Sequence, residues 1–147
     1  MKKFITVLVL ALAVSLAFTG CASKKANSSK GPKIFRVDLG DAMSTIEIGA
    51  EKKAINVTSL LPQGAKPAAG DKVRVMWSFE ADEDIDAIYV SCGELSDEYV
   101  LVEDVEAGKP VYAVVNVPLE LDATDPLYVD VWSDTEAICE LAYIDPK

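Results

Sequence analysis

From Lys33 onward, short runs rich in Val, Ile and aromatic residues alternate with Gly, Pro and Asp. Runs of this length with turn residues between them predict strands at residues 33–39, 44–49, 54–61, 72–81, 86–94, 98–106, 110–119, 126–133 and 137–144. The plainest loop is Pro62-Gln63-Gly64-Ala65-Lys66-Pro67-Ala68-Ala69-Gly70-Asp71, and no stretch outside the N-terminal apolar run has a helical period. In the best-defined strand, Val73, Val75, Trp77, Phe79 and Ala81 share one face, and Lys72, Arg74, Met76, Ser78 and Glu80 share the other. Alternation with period two places one face in a core, so Trp77 is predicted to be buried.

About eight or nine such strands predict an all-β domain, an antiparallel β-sandwich. A jelly roll, such as many carbohydrate-binding modules adopt, is favoured over an immunoglobulin-like sandwich. Immunoglobulin-type domains place a Trp like Trp77 between two bridging cysteines, whereas Cys92 and Cys139 both follow it.

Two strands carry unusual outward rows. In the strand from Pro126, Leu127, Val129 and Val131 share the core-type face, leaving Tyr128, Asp130 and Trp132 on the other. In the strand from Pro110, Val111, Ala113, Val115, Val117 and Leu119 face one way and Tyr112, Val114, Asn116 and Glu120 the other. If these strands are neighbours, Tyr112, Asn116, Tyr128, Asp130 and Trp132 form one surface. Flat aromatics beside Asp and Asn acceptors suit a sugar ring, with its apolar C–H face and rim of hydroxyls. The competing expectations are a protein contact, or a loop or first strand that covers Tyr128 and Trp132 as a second small core.

The N-terminus changes the picture from domain to location. Met1-Lys2-Lys3 is basic, and an apolar run from Phe4 to Phe18 follows before small residues appear. That is the layout of a signal peptide, and the run is shorter than the roughly 20 residues of a spanning helix. Phe18-Thr19-Gly20-Cys21 resembles the lipobox of bacterial lipoproteins, with Phe18 where the family more often has Leu. The resemblance implies cleavage before Cys21, lipidation of its thiol, and stable membrane attachment through several acyl chains. Residues 22–32 are polar and read as a tether with a reach of roughly 20 Å. The expected organisation is a signal peptide at 1–20, lipidated Cys and tether at 21–32, and an acidic β-sandwich at 33–147. Ala22 stands where enteric-type lipoproteins retained at the inner membrane tend to carry Asp, which favours the outer membrane in an organism with two.

Charge divides the chain. Residues 22–70 carry eight Lys/Arg and four Asp/Glu, whereas residues 71–147 carry four and twenty. So acidic a half argues against nucleic acid as a partner, while the basic tether would be drawn to anionic headgroups. In Glu80-Ala81-Asp82-Glu83-Asp84-Ile85-Asp86, the alternate carboxylates of Asp82, Asp84 and Asp86 could chelate a structural calcium ion. They do not match an EF-hand, which needs Gly and Glu where Ala87 and Gly93 stand. Cys92 and Cys139 are either a disulfide, which export would permit, or two buried thiols. With no histidine, neither a Ser-His-Asp nor a Cys-His arrangement can be built, and two cysteines make a poor zinc site. The expectation is therefore a non-catalytic envelope lipoprotein whose sandwich binds a protein partner or packs in an envelope assembly. Glycan binding is the alternative and a hydrolase the third option, and no cofactor is expected apart from the candidate calcium.

Overall fold

The computed structural model describes residues 31–123 and 126–146. The expected signal peptide, Cys21 and the tether as far as Lys30 lie outside the described residues. The described chain is an all-β fold of two sheets. Its strands are β1 (Ile34–Asp38), β2 (Thr45–Ile48), β3 (Lys53–Asn56), β4 (Lys72–Ala81), β5 (Ile85–Ser91), β6 (Tyr99–Val105), β7 (Val111–Pro118), β8 (Tyr128–Ser133) and β9 (Cys139–Tyr143). A single helical turn, α1 (Leu39–Ala42), and two 3₁₀ turns, Thr58–Leu60 and Gly93–Leu95, complete the elements.

Sheet A contains β1, β2, β4, β7 and β9, and sheet B runs β3-β8-β5-β6. Four antiparallel pairs, β2–β9, β3–β8, β4–β7 and β5–β6, nest one inside the next along the chain. Pairings β4–β9 and β5–β8 join them sideways into the two sheets. Strand β1 lies parallel to β4 over Lys72–Met76, and β9 takes over the β4 partnership at Phe79–Ala81.

One core cluster draws side chains from both sheets. Val73, Val75, Trp77, Phe79 and Ala81 of β4 are all buried, as period two predicts. Trp77 and Phe79 pack with ring centroids 4.7 Å apart. They meet Ile88 and Val90 of β5 and Val129 and Val131 of β8 in the same cluster. A fully buried side chain of this kind contributes about 1.5–3 kcal/mol. In β5 the buried set changes parity between Ile85 and Ile88, and the register against β6 slips between Ile88 and Tyr89. Such a bulge re-aims a strand. Here it leaves Tyr89 on the outer face beside Trp132, its register partner in β8.

Element ends differ from the expected runs where polar side chains compete for the backbone. Asp38 ends β1 by accepting a 2.9 Å bond from the Gly40 N–H, an N-cap that starts α1. Asn56 accepts from the Thr58 N–H at 3.0 Å and turns the chain, so β3 stops short of 61. Gly93, at φ +56°, opens the 3₁₀ turn that ends the predicted 86–94 strand, in a conformation that favours glycine. At the entry to the domain, buried Asp71 accepts backbone N–H bonds from Lys33 and Ala68, both at 2.9 Å. Those bonds hold its carboxyl below the usual range, the Lys33 bond contributing most.

Candidate functional site on the outer faces of the sheets

On the outer face of sheet B, β8 presents Tyr128, Asp130 and Trp132, the row expected from its alternation. Tyr128 is 41% exposed, but Trp132 only 9%. The Trp132 ring stacks on Tyr89 of β5, with centroids 5.8 Å apart and planes at 20°. From the β2–β3 loop, Lys52 lays its ammonium 4.3 Å above the Trp132 ring and holds Glu98 in a 2.6 Å ion pair. Cation–π contact and ion pair together close this face over its largest aromatic. Asp130 is half-buried beneath the same cover; burial pushes its carboxyl above the usual range, and the Lys52 charge opposes the rise.

Tyr112 and Asn116 do not join this row. They sit on β7, which pairs with β4 in sheet A, whereas β8 pairs with β3 and β5 in sheet B. The expected five-residue surface is therefore split between opposite faces of the sandwich. Its cause is the nested pairing, which sends successive strands β7, β8 and β9 to alternate sheets. Asn116 accepts a 2.9 Å bond from Arg74 Nε. Tyr112 stands 62% exposed, its hydroxyl 3.9 Å from the Met76 sulfur, and Val114 beside it is 43% exposed.

The chain after β9 continues alongside β4: the Ile144 N–H donates to the Ser78 carbonyl at 3.0 Å, one step beyond the Phe79–Tyr143 pair. Between this tail and β7 runs an open groove of about 690 Å³. It is lined chiefly by Ser78, Glu80, Val111, Tyr112, Ile144 and Asp145. Ser78 is 2% exposed, yet its hydroxyl has no hydrogen-bond partner. Nearby, the Tyr143 hydroxyl is pushed up by burial and by the carboxylates of Asp38, Asp145 and Asp41. Among the described residues the ion pairs are Lys52–Glu98 and Lys109–Glu106, so neither Glu80 nor Asp145 has a cation at hand. Alternation places Ser78 and Glu80 on an outward face but carries no signal for the chain after β9 that lies alongside Ser78.

In the acidic turn, Asp82 accepts from the Glu140 N–H and Asp84 from the Ala107 N–H, each at 2.8 Å. These two carboxylates thus brace two different backbone segments, and no group of three or more His, Cys, Asp or Glu that could hold a metal occurs among the described residues. Cys92 and Cys139 are buried free thiols rather than a disulfide. Cys139 lies by the Asp82–Glu83 turn that precedes β5, and Cys92 follows the far end of that seven-residue strand. A strand of this length spans about 20 Å, far beyond the roughly 7 Å limit between bridged Cα atoms. Burial, with Asp130 nearby, pushes the Cys92 thiol up to about 12, and burial also raises Cys139. Both thiols are inert small hydrophobes at neutral pH.

No helix among the described residues is long and apolar enough to cross a membrane. Compared with known proteins, the chain matches no family model, no curated sequence and no solved structure.

Proposed function

We propose that this chain is a lipid-anchored lipoprotein of the cell envelope whose β-sandwich is a non-catalytic binding domain for a protein partner. The observation that carries the partner reading is the outer face of sheet A, where Tyr112 and Val114 are 62% and 43% exposed beside a groove. Adjacent apolar groups left in water, with Tyr among them, favour a protein contact. The glycan alternative loses its main support because Trp132, its flattest platform, is capped by Lys52. The anchor reading rests on the basic start, the apolar run and Phe18-Thr19-Gly20-Cys21. Ala22 then favours the outer membrane where there are two.

The finer fold assignment is a jelly roll. Its support is the nesting of β2–β9, β3–β8, β4–β7 and β5–β6, the pattern of one long antiparallel ribbon rolled into two facing sheets.

The deciding experiment places a photo-crosslinking residue at 112, and separately at 128, in the full-length protein in cells. One envelope protein is expected to crosslink from 112. Cys21→Ser is expected to abolish both fatty-acid labelling and that crosslink. No adduct from 112, with retardation of the protein by envelope polysaccharide, overturns the partner reading; persistent labelling in Cys21→Ser overturns the anchor.

A further inference from the structure

The groove on sheet A has a chemistry of its own. Its apolar lining includes Pro110, Ile144 and Pro146, and Tyr112, 62% exposed, borders it. Two carboxylates, Glu80 and Asp145, line it with no Lys or Arg in ion-pair contact among the described residues. Around the tail, Asp38 and Asp41 add further negative charge close enough to act on Tyr143. Beneath these groups lies the Ser78 hydroxyl, buried and without a partner. The Ser91 and Ser133 hydroxyls are likewise buried without a partner, but of the three only Ser78 lines the groove, where a ligand could supply one.

These features converge on one ligand chemistry. An exposed aromatic, two carboxylates with no ion-pair partner among the described residues and a spare hydroxyl acceptor all favour a cation, and the apolar sides favour a cation carried on an alkyl stem. A neutral sugar would leave both carboxylates without an opposite charge, and an anionic polysaccharide would be repelled by them. We propose that this groove is a recognition site for a basic side chain, arginine or lysine, presented by the protein partner. The stem lies against Pro110 and Ile144. The charged head sits between Glu80, Asp145 and the face of Tyr112, and Ser78 Oγ accepts one of its N–H groups. This inference rests on the protein-partner reading and names the partner's chemistry.

The test uses the full-length lipidated protein in detergent and two fluorescent tripeptides that differ only in their central residue, arginine or its neutral isostere citrulline. The arginine peptide is expected to bind, weakening as salt rises, and the citrulline peptide to bind at least about tenfold less. Glu80→Gln with Asp145→Asn should weaken arginine-peptide binding about tenfold, and Tyr112→Ala about fivefold. Ser78→Ala separates a binding group from a structural one. Removing an unpaired buried hydroxyl should leave the melting temperature unchanged or higher while weakening the peptide several-fold.

Equal binding of the citrulline peptide, indifference to the double carboxylate variant, or displacement by a neutral glycan each overturns the inference. The two readings fail separately. A cellular crosslink from position 112 that survives Glu80→Gln with Asp145→Asn keeps the partner and discards the basic side chain. Arginine-selective binding with no cellular crosslink keeps the cation site and discards the protein partner as its source.

Discussion

The two outer faces of the sandwich are built from similar ingredients and reach opposite conditions. On sheet B, Trp132, Tyr89, Lys52 and Glu98 satisfy one another: ring on ring, ammonium on ring, carboxylate on ammonium. On sheet A, Tyr112 projects into water, and Glu80 and Asp145 have no cation in ion-pair contact among the described residues. An aromatic row read from alternation therefore does not tell structural from binding surface. What decides is whether the chain itself supplies the complement, as Lys52 does on one face and no described residue does on the other.

This contrast can be broken or sharpened by substitution. The largest effect is expected from Trp132→Ala, which removes a nearly buried ring and its stack, at about 3 kcal/mol of stability in denaturant unfolding. A small loss there, with loss of partner crosslinking, would reverse the assignment of the faces. Asp71→Asn, at the entry to sheet A, should cost about 1–2 kcal/mol at neutral pH through its two backbone bonds. Because its carboxyl is held below the usual range, this contribution is complete above about pH 4 and fades as pH falls through the folded value. Wild type and variant should thus converge in acid, and a difference that stays constant to low pH would discount the latch. Lys52→Ala should cost about 0.5–1 kcal/mol and uncover Trp132, seen as greater quenching of tryptophan emission by iodide or acrylamide. Unchanged quenching would mean that Lys52 is not the cover. The smallest effect is expected for Tyr112→Ala, under about 0.5 kcal/mol, since its ring is mostly in solvent.

Much of this was legible before the structure because it depends on neighbours in sequence. The alternation from Val73 to Ala81 gave the buried face of β4, and that from Leu127 to Trp132 gave the outward row. What escaped were relations between distant residues. Nothing local says that β7 pairs with β4 rather than lying beside β8, so alternation alone leaves Tyr112 and Tyr128 free to share one surface. Lys52 reaches Trp132 from 80 positions away, and Ile144 comes beside Ser78 only because β9 pairs with β4 from Phe79. Cys92 and Cys139 were compatible with a bridge until β5 was placed between them. The polar turn-makers were the nearest misses: Asp38 and Asn56 each end a strand through a bond two residues away, a signal present in the sequence but weaker than the hydrophobic run around it.

The nesting of strand pairs has a kinetic consequence. Only β5–β6, the innermost pair, can close as a local hairpin; the outermost, β2–β9, must bring Thr45 to Ala142 across almost the whole domain. Closing long loops costs entropy before the contacts repay it, so such a topology folds from the middle outward and slowly. For a chain proposed to cross a membrane before settling at its surface, late closure of the outer pairs would leave time for passage while the polypeptide is still extended.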